Sequence, residues 1–164
     1  MAPLKSGSKA PRFCLPDQSG NAVSLSGFKG RKLLIYFYPK ADTPGCTKQS
    51  CTVRDNLAAL RSHGVEAVGI SPDAPADQEK FDKKFNLGFP LLADEDHAIA
   101  DAYGVWGEKS MYGKTYMGII RSAFLLDEAG KVTEAWYKVS PEETVSNVLK
   151  TKHDTAKNSV GNIR

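Results

Sequence analysis

Residues 33–51 constrain the fold more than any other stretch. An unbroken apolar run, Leu33-Leu34-Ile35-Tyr36-Phe37-Tyr38, leads straight into Pro39-Lys40-Ala41-Asp42-Thr43-Pro44-Gly45-Cys46. A helical pattern follows, with Val53, Leu57 and Leu60 at helical spacing. This is a buried strand, a turn and a helix start. Thr43 suits the N-cap, and Pro44 suits the first helical position, where a missing N–H costs nothing. Cys46 then falls in the first turn. Free backbone N–H groups and the positive end of the helix dipole favour a thiolate there. A second thiol, Cys51, follows five residues on.

The rest of the chain supplies the frame. At 164 residues it is long enough for one domain with a real core, and we read residues 1–164 as that domain. Its 41% hydrophobic and 25% charged residues are those of an ordinary globular protein. A net charge of +3, with lysines spread along the chain, leaves no footprint for nucleic acid or a membrane surface. The start, Met1-Ala2-Pro3-Leu4-Lys5-Ser6, lacks a secretory apolar run, and no segment is long enough to span a bilayer. Three cysteines in such a chain fit a reducing, cytoplasmic setting.

In order, residues 1–12 form an extended lead-in. Phe13-Cys14-Leu15 and Ala22-Val23-Ser24-Leu25 are short strands joined by the turn residues 16–21. The helix after Cys46 runs to about His63, with Gly64 as C-cap. Residues 65–70 form a strand, and residues 74–86 a helix with Phe81 and Phe85 on its inner face. Residues 90–93 form a strand, and Asp94 caps a helix to Tyr103. Residues 105–118, with Trp106, Tyr112 and Tyr116, read as a long loop. Two hairpin strands, 122–127 and 132–137, precede a last helix. That helix opens on the capping-box pair Ser140 and Glu143 and runs to about Lys152. The tail after about residue 153 is expected to be flexible.

A β-lead-in, a βαβ unit, a further strand and helices, then a hairpin and a helix make an α/β protein. The arrangement is thioredoxin-like, with an N-terminal β-hairpin extension and a central mixed sheet flanked by helices. Cys46 would sit just past the C-terminal end of a central strand, where such folds place their sites. On a helix, Cys46 and Cys51 are separated by about 7.5 Å of rise and about 140° of rotation. A disulfide needs Cα atoms within about 7 Å, so bonding of this pair requires the helix to unwind.

A reactive thiolate alone is a modest catalyst. A cysteine with a pKa of about 8.5 is already a few per cent ionised near neutrality, and lowering the pKa to about 6 adds only about tenfold. Holding an O–O bond in line with the sulfur and stabilising the departing oxygen must supply the rest. Thr43 can bring a hydroxyl near the sulfur. Arg121, just before the strand at 122, can bring a forked, permanent charge. Spacing alone does not single it out among the arginines.

Pro39-x-x-x-Thr43-x-x-Cys46 resembles the active-site motif of the peroxiredoxins. The run Thr43-Pro44-Gly45-Cys46-Thr47-Lys48-Gln49-x-Cys51 is similar to the bacterioferritin comigratory protein, or peroxiredoxin Q, subfamily. Phe13-x-Leu15-Pro16-Asp17-Gln18, Tyr103 to Lys109, and Gly118-Ile119-x-Arg121-Ser122-x-Phe124-Leu125-x-Asp127 extend the resemblance over nearly the whole chain. It departs at Ala123, where relatives usually carry Thr or Ser, and at Val53, where an aromatic is common.

The resemblance implies a thiol peroxidase without cofactor or metal, serving antioxidant defence and redox homeostasis. Cys46 matches the peroxidatic cysteine, Thr43 and Arg121 the residues that orient the peroxide, and Pro39 the one that shields the pocket. Cys51 matches the resolving cysteine of members that form an intramolecular Cys46–Cys51 disulfide. The implied partners are hydrogen peroxide or an alkyl hydroperoxide and thioredoxin or a similar dithiol protein, with the chain a monomer. Cys14 reads as a buried strand residue. His63, His97 and His153 show no ligand spacing, which argues against a zinc site built with the cysteines. A thioredoxin-like disulfide reductase and a non-enzymatic peroxide sensor or holdase are the rival readings.

Overall fold

The computed structural model describes residues 3–150. The chain opens with an antiparallel hairpin, β1 (Cys14–Pro16) and β2 (Ala22–Ser24). β3 (Lys32–Phe37), α1 (Pro44–Asp55), α2 (Leu57–Ser62) and β4 (Val65–Ser71) follow. Next come α3 (Pro75–Phe85), β5 (Leu91–Ala93) and α4 (Ala98–Ala102). A second hairpin, β6 (Trp106–Met111) and β7 (Lys114–Ile119), leads to β8 (Ser122–Leu126), β9 (Val132–Trp136) and α5 (Glu143–Lys150). The central sheet has the order β5-β4-β3-β8-β9. β3, β4 and β5 are parallel, while β8 and β9 are antiparallel additions beyond β3. This is the thioredoxin-like mixed sheet that the element order predicts.

Side-chain alternation along β3 divides the core into two layers. Leu34, Tyr36 and Tyr38 face Val53, Leu60, Phe81, Val145 and Val148 from the helices. Leu33, Ile35 and Phe37 face Phe13, Ala100, Tyr103 and Ile119 on the other side. Both faces of β3 are therefore covered, which is why its sequence is apolar throughout rather than alternating. The register places Phe37 opposite Ser122. The C-terminal end of β3 and the N-terminal end of β8 thus meet at one edge of the sheet, bringing residues 43–46 and 121 together.

Several expectations are corrected. The helix from Pro44 does not run unbroken to His63: Asn56 interrupts it. Its Nδ2 donates to the Thr52 carbonyl at 2.9 Å, the local competition with helical bonding that asparagine offers. Residues 106–119 form a hairpin, not a loop. Tyr112 and Gly113, both at positive φ, make the two-residue turn it needs. The helix at α4 begins at Ala98, yet Asp94 does supply its cap, accepting from Ile99 N at 3.1 Å and Ala100 N at 2.9 Å. Burial pushes that carboxyl up, and the two backbone N–H bonds pull it back.

Cys14 is exposed, not buried. Phe13 is buried and Leu15 packs on the core, so alternation turns Cys14 outward from the hairpin. The expected end of the last helix at Lys152, the tail after about residue 153 and His153 lie outside the described residues.

Candidate active site

Thr43 caps α1 through its backbone. Its extended conformation (φ −97°, ψ 156°) points its carbonyl into the helix, where Thr47 N donates to it at 2.8 Å. Its hydroxyl makes no cap bond and instead donates to the Lys40 carbonyl at 2.7 Å. Asp42 stands at positive φ (61°), closing the turn between strand and helix. The same loop is tied to the end of β4 by Ala41 N, which donates to Asp73 Oδ2 at 2.8 Å. Pro39, half-buried, begins this loop. Cys46 follows in the first turn of α1, buried to 1% exposure.

Arg121 reaches the sulfur from the opposite side. Its Nη2 lies 3.5 Å from Cys46 Sγ, and its Nη1 donates to Gln49 Oε1 at 2.6 Å. Gln49 is fully buried, and its Nε2 donates to Thr144 Oγ1 of α5 at 2.7 Å. A chain of contacts thus runs from α5 through Gln49 to the guanidinium and on to the thiol. Among the described residues no carboxylate stands within ion-pair distance of Arg121. Its positive charge is left to whatever anion occupies the site.

The next residue after Gln49, Ser50, meets Tyr36 of β3: the two hydroxyls lie 2.7 Å apart and both are buried. Burial, chiefly, pushes the Tyr36 phenol far up, so it stays neutral. Cys51 is half-buried on the same helix, and all three cysteines are free thiols. The structure therefore brings Cys46 and Arg121 into contact and sets Thr43 and Pro39 on the adjoining loop. It leaves Cys51 five helical positions away. The sequence alone gives no site role to Gln49, Thr144, Tyr36 or Ser50. Gln49 carried a usable signal: it lies three positions after Cys46, on the same helical face.

Among the described residues there is no group of three or more His, Cys, Asp or Glu placed to hold a metal ion. No helix among them is long and apolar enough to cross a membrane. A cavity of about 810 Å³ lies at the other end of the sheet, lined by Phe13, Leu25, Leu33 and Leu126. It is remote from Cys46, since Leu33 stands at the opposite end of β3.

A thioredoxin-like fold with a buried helix-start thiol against an arginine defines a thiol-based oxidoreductase. Comparison with known proteins narrows this. The AhpC/TSA family model matches residues 6–135. Peroxiredoxin Bcp of Escherichia coli K12 is 50% identical over 153 residues, covering 92% of this chain and 98% of that protein. Among solved structures, Xanthomonas campestris bacterioferritin comigratory protein, studied for its alkyl peroxide reduction activity, matches with TM-score 0.78 and 37% identity over 84% of this chain and 87% of that one. A Xylella fastidiosa PrxQ mutant matches with TM-score 0.83 and 29% identity over 92% and 98%. The chain belongs to the AhpC/TSA family and, within it, to the Bcp or Q subfamily of peroxiredoxins; it is a thiol peroxidase.

Proposed function

We propose that Cys46 is the peroxidatic nucleophile and Cys51 the resolving thiol of an atypical two-cysteine cycle. The contact between Arg121 Nη2 and Cys46 Sγ, 3.5 Å, carries this reading. The Cys46 thiolate attacks one peroxide oxygen and the O–O bond breaks. The other oxygen leaves as water or an alcohol after taking a proton, and Cys46 becomes a sulfenic acid. Arg121 donates to the peroxide oxygens as charge moves onto the leaving one. The Thr43 hydroxyl has its own proton committed to Lys40, which leaves its oxygen able to accept the peroxide O–H. Pro39 has no N–H to compete for the substrate and shields the pocket edge.

Cys51 then attacks the Cys46 sulfur, expelling water and closing a disulfide. A dithiol protein of the thioredoxin type reduces it, returning both thiols. Hydrogen peroxide and organic hydroperoxides are the substrates we assign, the latter supported by the activity of the Xanthomonas relative. We also assign one domain over residues 1–164, a monomer and a cytoplasmic setting. The central five-stranded sheet, with a core layer on each face, supports the first of these over residues 3–150.

Stopped-flow peroxide consumption with thioredoxin tests the cycle. Cys46→Ser is expected to abolish it; Cys51→Ser is expected to allow one turnover and stop. A Cys51→Ser protein that recycles normally with thioredoxin would sink the intramolecular scheme. Disulfide reduction without peroxide turnover would favour a reductase, and a single oxidation without turnover a sensor or holdase.

A further inference from the structure

Lys109 is a partly buried cation for which neither the sequence pattern nor the cycle above has a use. It sits on β6 opposite Tyr116 of β7. Its Nζ donates to the Ile119 carbonyl at 2.7 Å, two residues before Arg121. Gly118 makes room for it: a Cβ there would stand 3.2 Å from Lys109 Cδ and 3.4 Å from Tyr116 Cε2. The hairpin thus directs the ammonium toward the strand connection that carries Arg121.

Charges taken out of water are ordinarily paired. Among the described residues, no carboxylate lies within ion-pair distance of Lys109, just as none does for Arg121. Among the described residues, its hydrogen-bond acceptor is a carbonyl oxygen. The carbonyl that holds the Lys109 ammonium lies two residues before Arg121, and Arg121 in turn touches the Cys46 sulfur.

We propose that the Lys109 ammonium is a second counter-charge for the Cys46 thiolate, acting beside Arg121 as a positioning residue. The proposal rests on Cys46 being the nucleophile. Burial, first, and then the Arg121 charge push Lys109 below the ordinary lysine range, while Cys46 pulls it back up. The charged and titratable neighbours bearing on it are thus Arg121 at the head of β8 and Cys46 on α1. Glu108, next to it on β6, projects to the other face of the hairpin, opposite Met117. Attraction is mutual, so a cation that the thiolate stabilises also stabilises the thiolate. Arg121 touches the sulfur and can leave it for the peroxide; Lys109 acts from further off and keeps the anion supplied with positive potential meanwhile.

The test uses the full chain with Cys14 and Cys51 replaced by Ser, so that ultraviolet thiolate absorbance reports Cys46 alone. Lys109→Met keeps the aliphatic stem and removes the charge; Lys109→Arg keeps the charge. Lys109→Met is expected to titrate about 0.5–1 pH unit above its parent, and Lys109→Arg with the parent. The single-turnover rate with hydrogen peroxide should fall about three- to tenfold in Lys109→Met below the titration midpoint and rejoin the parent above it. Gly118→Ala, which crowds Lys109 Cδ, serves if Lys109→Met fails to fold; its titration should move the same way. A titration that overlays the parent in the folded variant overturns the proposal, whatever the rate. A shifted titration in a parent that does not consume peroxide leaves the charge pairing standing and sinks the peroxidase role of Cys46 instead.

Discussion

Gly45 lacks a side chain where Arg121 lies: a Cβ built on it would stand 3.0 Å from Nη2 and 3.7 Å from Cζ. Helix propensity pulls the other way, since alanine in a helix outranks glycine by about 1 kcal/mol. Gly45→Ala should therefore preserve or raise the melting temperature, because the obstructing atom is the end of a flexible side chain. The guanidinium, held at Nη1 by Gln49, must shift by a few tenths of an ångström from its place beside the sulfur. The expected outcome is a several-fold lower peroxide rate constant in a protein at least as stable as the parent. A variant with unchanged rate would show that Arg121 has slack in this position.

Gln49 couples two elements that share no strand pairing. Replacing it with alanine leaves the buried Thr144 Oγ1 and the half-buried Arg121 Nη1 without this partner. Orphaned buried polar groups cost about 1–3 kcal/mol. Gln49→Ala should lose about that much in urea denaturation and lose peroxidase activity by more than its folded fraction explains. Stability loss with a normal rate per folded molecule would reduce Gln49 to a structural tie.

Much of this site could be read in advance because it is local. The apolar run at Leu33–Tyr38, the Thr43-Pro44 helix start and Cys46 in the first turn each follow from side-chain chemistry within a few residues. Arg121 was legible only through family resemblance, since the Phe37–Ser122 register that brings it to Cys46 is a long-range pairing that no local pattern encodes. The hairpin at 106–119 was missed for a related reason. Its strands are mostly exposed on a two-stranded sheet and carry no buried alternation, and its turn uses Tyr112 at positive φ, a residue that does not advertise that conformation. Cys14 reads as buried from its strand alone, whereas the alternation with buried Phe13 and core-packed Leu15 turns it outward.

The capping box on α5 ties acid stability to the site. Glu143 Oε1 accepts from Ser140 N at 2.9 Å, and that bond, foremost, holds the carboxyl below its ordinary 4.5. A depressed carboxylate pKa stabilises the fold above the unfolded-state value, and the contribution is lost as pH falls through the folded one. Glu143→Gln should therefore differ from the parent in denaturation near neutral pH, with the difference shrinking as pH drops below about 4.5. Thr144 is the next residue, so the same titration should weaken the Gln49 bond and lower activity in parallel. A stability difference that stays constant across that acid range would mean the carboxylate charge is irrelevant to the cap.

Closing a Cys46–Cys51 disulfide requires part of α1 to unwind, and the structure shows what resists it. Between the two cysteines lie Gln49, bound to Arg121 and Thr144, and Ser50, bound to Tyr36. Both ties must break before Cys51 can reach the sulfenic acid. Ser50→Ala removes one tie and leaves the Tyr36 hydroxyl buried and unpaired in the wound helix, at about 1–3 kcal/mol. Once α1 opens, water replaces the lost partner, so the penalty falls on the wound state alone. The disulfide-forming step should accelerate about tenfold or more in Ser50→Ala, while the first reaction with peroxide stays near the parent rate. Rapid quenching after one equivalent of peroxide, followed by mass analysis of the non-reduced peptides, reads both steps. An unchanged rate of Cys46–Cys51 linkage would mean that the helix opens without releasing Ser50, and a Cys46–Cys14 link would mean that resolution does not pass through α1 at all.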